Sequence, residues 1–190
     1  MLEQQIEIKD TMSKSSALRK MLTNDEESVA DLSKNQTVLL IFLRHFGCTF
    51  CREALGDVSK QRKAFEAEGI ELVLVHMTDY DVANKYLEKY DLHGLRHVSD
   101  PSCKFYQDFG LLKGNFHQLF GLQSWIRGFE AGVIQGHWVG YQQLGDGFQM
   151  PGAFSIRNGE VKDAFIHKIA SDRPDYWKLV EHCAVPQTVS

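Results

Sequence analysis

Two cysteines three positions apart, in Cys48-Thr49-Phe50-Cys51, are the part of this chain best suited to chemistry. They follow a run of strand-forming residues and stand where a helical pattern begins. The C-x-x-C spacing puts two sulfurs about one helical turn apart, close enough to bridge with little backbone movement. Unpaired amides and the positive end of a helix dipole favour thiolate over thiol, and Arg44 and Arg52 add positive charge nearby. One sulfur can then attack while the other resolves the intermediate as an internal disulfide. A zinc site would need two further ligands at comparable spacing. Cys103 and Cys183 stand alone, and His45, His76 and His97 show no ligand spacing. The dithiol–disulfide reading therefore leads, with no metal, flavin or nucleotide required, because sulfur carries the electrons.

The elements that must position this pair are legible as patterns. Thr37-Val-Leu-Leu-Ile-Phe-Leu43 is a continuous apolar, β-rich run, the mark of a strand covered on both faces. It ends at Arg44-His-Phe-Gly47, and a helical stripe of Leu55, Val58 and Phe65 follows over about 50–68, stopped by Gly69. Residues 70–76 read as a second buried strand, 81–90 as a helix, and His97 and Val98 as a short third strand. Asp100-Pro101 predicts another helix, with Asp100 as N-cap and Pro101 at the first helical position. Such alternation implies parallel pairing with right-handed crossovers. After residue 150 the grammar changes: 152–157 and 161–167 read as a hairpin turned by Asn158-Gly159, a type I′ signal, and 171–182 as a closing helix. The sum is an α/β, thioredoxin-like fold, with a mixed central β-sheet flanked by helices.

Residues 1–36 are expected to form an N-terminal helical extension and 37–185 the thioredoxin-like domain. Within it, 114–149 reads as an insertion rich in aromatic residues and glycine, helical over about 116–129. Its aromatic content suits core packing, a homodimer face, or a lid that binds a substrate or partner.

Twenty-one Lys and Arg against 25 Asp and Glu give a net charge of −4, which removes any bulk attraction to nucleic acid and leaves only local patches such as 60–63. The strongest apolar run has seven residues, where a bilayer crossing needs about 20. The beginning Met1-Leu-Glu-Gln-Gln lacks the basic start and apolar stretch of a secretory signal. The expectation is a cytoplasmic protein with reduced thiols and neither nucleic-acid nor membrane partners.

The segment from Val38 through Cys48-Thr-Phe-Cys51 to Glu53 resembles the active-site segment of the thioredoxin-like superfamily. It is nearest the peroxiredoxin-like branch of the alkyl hydroperoxide reductase/thiol-specific antioxidant (AhpC/TSA) group. Ser99-Asp-Pro-Ser-Cys-Lys-Phe-Tyr-Gln-Asp-Phe-Gly110 is similar to the segment that follows the third strand in the same group. The resemblance implies a cis Met150–Pro151 bond facing the C-x-x-C, with the Met150 backbone open to pair with an extended thiol substrate. It also implies a thiol-dependent oxidoreductase acting on disulfides or hydroperoxides, restored by a thioredoxin- or glutathione-type reductant. Cys48 and Cys51 would be catalytic, with Arg44, His45, Thr49, Met150 and Pro151 in support.

Two alignments stay open. In thioredoxins the first cysteine attacks, here Cys48. Ordinary peroxiredoxins carry P-x-x-x-T-x-x-C with the attacking cysteine last; on Cys51 this puts Cys48 in place of the threonine and Arg44 in place of the proline. His45 could shift the thiolate equilibrium or shuttle a proton. Cys103 and Cys183 read as small core residues or distant resolving thiols, and Arg127 and Arg157 as surface charges or anion binders. From another class comes a redox-inactive thioredoxin-fold module that docks a partner through the aromatic insertion.

Overall fold

The computed structural model describes residues 2–44, 46, 49–114, 148–168, 172–181 and 183, with side chains from residue 10 onward except at 49 and 50. The aromatic insertion expected over 114–149 thus falls, from 115 to 147, outside the described residues. The elements in chain order are α1 (Leu2–Lys20), α2 (Val29–Asn35), β1 (Thr37–Phe42), α3 (Thr49–Ala67), β2 (Ile70–His76) and α4 (Tyr80–Glu88). They continue as β3 (Arg96–Ser99), α5 (Lys104–Asp108), β4 (Gly152–Arg157), β5 (Glu160–Ile166) and α6 (Tyr176–Glu181).

The five strands form one sheet in the order β3-β2-β1-β4-β5. β1 pairs in parallel with β2 from Thr37↔Ile70 to Phe42↔Val75, and β2 in parallel with β3. β4 runs antiparallel to β1, and β5 antiparallel to β4, so the sheet is mixed, as the pattern predicts. All six residues of β1 are buried, because helices cover both faces and the strand lies at the centre. One face packs Leu39, Ile41, Leu72 and Leu74 against Leu55 and Val58 of α3, Leu87 of α4 and Leu179 of α6. The other packs Val38, Leu40, Val73 and Val75 against Leu18 of α1, Leu32 of α2 and Tyr106 of α5. Each such side chain removed from water contributes about 1.5–3 kcal/mol.

The N-terminal region, expected as a helical extension, is one 19-residue helix followed by a short second one. At its end Ala17, Leu18 and Met21 are buried in the core. Ser28 starts α2: its hydroxyl accepts from the Asp31 amide at 3.1 Å and donates to the Asp31 carboxylate at 2.6 Å. Asn158 and Gly159 both have positive φ, +54° and +73°, as a type I′ turn requires. Their amides donate to the Ser33 carbonyl and hydroxyl, each at 2.8 Å, which ties the hairpin tip to α2.

Three expectations are corrected. The Met150–Pro151 bond is trans, as is every other described peptide bond. Trans X–Pro is favoured by about 0.5–1 kcal/mol, and the chain here already runs extended into β4 without needing a reversal. The Met150 amide is also not open to a substrate: it donates to the Leu112 carbonyl at 3.3 Å. Finally, α5 begins at Lys104 rather than Pro101, after Cys103 in a left-handed conformation with φ 55°. Asp100 still caps it from a distance, its carboxylate accepting from the amides of Lys104, Phe105 and Tyr106 at 3.0, 2.7 and 3.3 Å.

Candidate active site

The C-terminal end of β1 and the first turn of α3 meet at Cys51, which is buried, with 4% of its surface exposed. Where β1 ends is fixed from the opposite face of the sheet. The Tyr106 hydroxyl donates to the Leu43 carbonyl at 2.6 Å, with the Val75 carbonyl at 3.1 Å. Burial holds that phenol well above its ordinary pKa, with the charges of Cys103, Cys51 and Asp100 adding to it, so the hydroxyl stays a donor. The chain then delivers Arg44, only 1% exposed, whose Nε donates to the Gln149 carbonyl at 3.2 Å. Gln149 is itself anchored, its side-chain amide donating to the Leu111 carbonyl at 2.6 Å. Gly152 completes the approach: a Cβ there would lie 2.6 Å from the Leu111 side chain, which would have to shift to admit any other residue.

Beside them lies a cavity of about 50 Å³, whose wall includes Arg44, Cys51, Pro151 and Tyr176. Its rim is charged. Arg173, in the segment before α6, bridges to Glu53 at 2.7 Å and Asp57 at 3.8 Å, both on α3. Burial, then Asp57 and Cys51, push the Tyr176 phenol up from its ordinary pKa, with Arg173 pulling it back.

Of the residues singled out by sequence, the fold brings Arg44, Cys51 and Pro151 to one cavity. Thr49 opens α3, and Met150 lies buried just before Pro151 of the cavity wall. Cys48 and His45 lie outside the described residues, as does Arg127. Cys103 belongs to the core on the opposite face of the sheet from Cys51; Cys183 is buried just after α6. Tyr176, Arg173 and Gln149 were not singled out, and no local pattern could have found them. They reach Cys51 from more than 90 residues away along the chain.

A second buried polar group lies on the same face, on β2 and β3. His76 Nε2 and His97 Nδ1 are 2.8 Å apart, and His97 Nε2 is 3.1 Å from the Asn84 side-chain oxygen. The Thr78 amide donates to His76 Nδ1 at 3.3 Å. That donor fixes the tautomers: His76 donates to His97, and His97 donates to Asn84. Burial lowers the two pKa values to about 3 and about 4, with His97 further depressing His76 and Asp25 opposing on His97. Among the described residues, no group of three His, Cys, Asp or Glu is placed to hold a metal ion.

The family model of the AhpC/TSA family matches residues 14–163. This chain belongs to the AhpC/TSA family. The AhpC/TSA match takes in the end of α1, the whole sheet core and most of the hairpin. Among curated proteins, the chain is 29% identical over 93 residues to the thioredoxin-like protein AAED1, chloroplastic, of Arabidopsis thaliana, covering 49% of this chain and 37% of that protein. It is 41% identical over 56 residues to prostamide/prostaglandin F synthase of Danio rerio, covering 30% and 28%. The matched stretch spans less than half the length of these relatives. In fold it is similar to peroxiredoxin Q of Xanthomonas campestris, with TM-score 0.57, 14% identity and coverage of 82% of this chain and 85% of that one. Peroxidoxin BcpB of Mycobacterium tuberculosis gives TM-score 0.55, 13% identity and coverage of 80% and 82%. These likenesses establish the thioredoxin-like fold. No helix among the described residues is long and apolar enough to cross a membrane.

Proposed function

We propose that this chain is a thiol-dependent oxidoreductase that reduces hydroperoxides, with Cys51 as the attacking sulfur and Cys48 as its resolving partner. AhpC/TSA membership supports the class. The observation that carries the finer reading is the placement of Cys51: in the first turn of α3, on the wall of a small cavity shared with a buried guanidinium. The helix start and Arg44 both favour the thiolate. A cavity of about 50 Å³ has room for the two oxygens of a hydroperoxyl group, since one water needs roughly 10–15 Å³ by the same measure. A folded protein disulfide would not enter it.

The Cys51 thiolate attacks the outer oxygen of R–O–O–H and the O–O bond breaks. The sulfur is oxidised to a sulfenic acid, and the departing RO⁻ takes a proton to leave as an alcohol, or as water when R is hydrogen. The Cys48 thiol then attacks the sulfenic sulfur, releasing water and closing the Cys48–Cys51 disulfide. An external dithiol of the thioredoxin or glutathione type restores both thiols by exchange. The electrons are those of sulfur throughout.

In the Cys48→Ser variant, stoichiometric peroxide should leave a sulfenic acid on Cys51, read by dimedone adduct mass. A sulfenic acid found instead on Cys48 of the Cys51→Ser variant, with none in the reciprocal variant, would reverse the two roles.

A further inference from the structure

Thiolate attack on a peroxide builds negative charge on the departing oxygen, and a positioned hydrogen-bond donor lowers that barrier most effectively. The residue three before Cys51 is Cys48, and a thiol is a weak donor. A better one must come from elsewhere in the fold. Tyr176 at the start of α6 is only 6% exposed, lines the same cavity as Cys51, and is close enough for the Cys51 charge to act on it. Its hydroxyl forms no hydrogen bond with any described residue, in contrast to Tyr106, whose hydroxyl is spent on the Leu43 carbonyl. The segment that carries it is fastened to the cysteine's own helix by Arg173 on Glu53 and Asp57. Phenol and sulfur thereby border one cavity from two elements that Arg173 ties together.

We propose that Tyr176 is a catalytic residue that donates its phenolic hydrogen bond to the peroxide oxygen leaving from Cys51. The inference rests on Cys51 being the attacking sulfur. Burial pushes the phenol's pKa up, so around neutral pH Tyr176 acts as a donor rather than a base. The proton that completes the alcohol or water comes from solvent, and Tyr176 is unchanged by the cycle. The cavity's substrate is thus a species with a hydrogen-bond-accepting leaving group, which separates peroxides from carbon electrophiles.

The test compares two reagents on one sulfur, in a Cys48→Ala background where Cys51 reacts alone and no hydroxyl is added three residues before it. Tyr176→Phe removes one oxygen and keeps the ring that packs in the core. Sulfenic acid formation with hydrogen peroxide should fall about a hundred- to a thousandfold, the scale for losing one such donor. Alkylation of Cys51 by iodoacetamide, whose leaving iodide needs no donor, should change less than about twofold. Unchanged peroxide rates, or equal losses with both reagents, would overturn the role of Tyr176. A parent protein whose Cys51 reacts with peroxide no faster than free cysteine would instead overturn the reading of the site, and the inference with it.

Discussion

Two buried polar groups share one face of the sheet and differ in a single respect. At β2 and β3, Thr78, His76, His97 and Asn84 form a chain in which each imidazole nitrogen meets a neighbour. At the end of β1, Arg44, Cys51 and Tyr176 border a cavity. The first cluster closes on itself: its donors and acceptors cancel, its histidines stay neutral, and it holds β2, β3 and α4 together. The second keeps a charge, a thiol and a phenol facing a space that a small molecule can enter. A buried polar group is expensive unless satisfied; the histidine chain meets that cost from within the fold, while the groups at the end of β1 also border a space that a small molecule can enter. Phe46 stands between the two, stacked on Tyr86 with ring centroids 4.8 Å apart and tilted against His76 at 5.7 Å.

The sharpest way to break this contrast is His97→Leu. It strands the His76 Nε2–H in the core, while the exposed Asn84 can turn to water, so stability should fall by about 1–3 kcal/mol. The reactivity of Cys51 in the folded fraction should stay within about twofold. Urea unfolding and iodoacetamide alkylation on the same sample check both halves. If Cys51 slows as much as the fold weakens, the two clusters are one.

Arg44→Met attacks the open side. It removes the charge and nearly keeps the volume, so the peroxide rate of Cys51 should fall about tenfold or more, and its alkylation should need a higher pH. Stopped-flow kinetics across pH 5–9 would show it, and an unchanged profile would remove Arg44 from the site.

Acid gives a graded comparison. Unfolded histidine titrates near 6.5, while His76 and His97 refuse protons until about pH 3 and about pH 4. As pH falls below about 6.5, the unfolded state binds protons that the folded state does not, so stability is lost from there down towards pH 4. The pair should contribute a loss on the order of 2 kcal/mol per histidine by pH 5. In the His76→Gln/His97→Gln variant the difference from wild type should therefore shrink as the buffer is acidified. A constant difference across that range would mean the imidazoles are not held neutral.

The smallest effect belongs to Arg173→Ala. Its ion pairs are exposed, so the melting temperature should not measurably change. The peroxide rate should drop about two- to fivefold through looser placement of Tyr176, and 1 M salt should narrow the gap by weakening the wild-type contact. A full wild-type rate in Arg173→Ala would show that the segment needs no fastening.

The sheet was largely legible because its signals are local. A seven-residue apolar run, an Asn-Gly turn and a helical stripe each specify an element without help from distant residues. The position of Cys51, just past a strand and at the start of a helix, was legible for the same reason. What failed was set at long range. Pro151, whose peptide bond is trans, follows a segment tied to Leu111 by the Gln149 side chain and to Leu112 by the Met150 amide. The helix after Asp100 starts late because the carboxylate gathers amides four to six residues ahead, a reach no capping pattern predicts. His76 and His97 showed no ligand spacing, yet strand pairing puts them 2.8 Å apart. Tyr176 and Arg173 enter the site only because α6 folds back across α3.

The central claim is that Cys48 and Cys51 form a reversible couple fed from this cavity. The direct measurement is intact mass with free-thiol titration, before and after one equivalent of hydrogen peroxide, followed by dithiothreitol. The account predicts a loss of two thiols and two hydrogens, a linkage mapped to Cys48 and Cys51, and full recovery on reduction. Four thiols that survive the treatment unchanged would contradict it, and would favour a redox-inactive fold that works by binding alone.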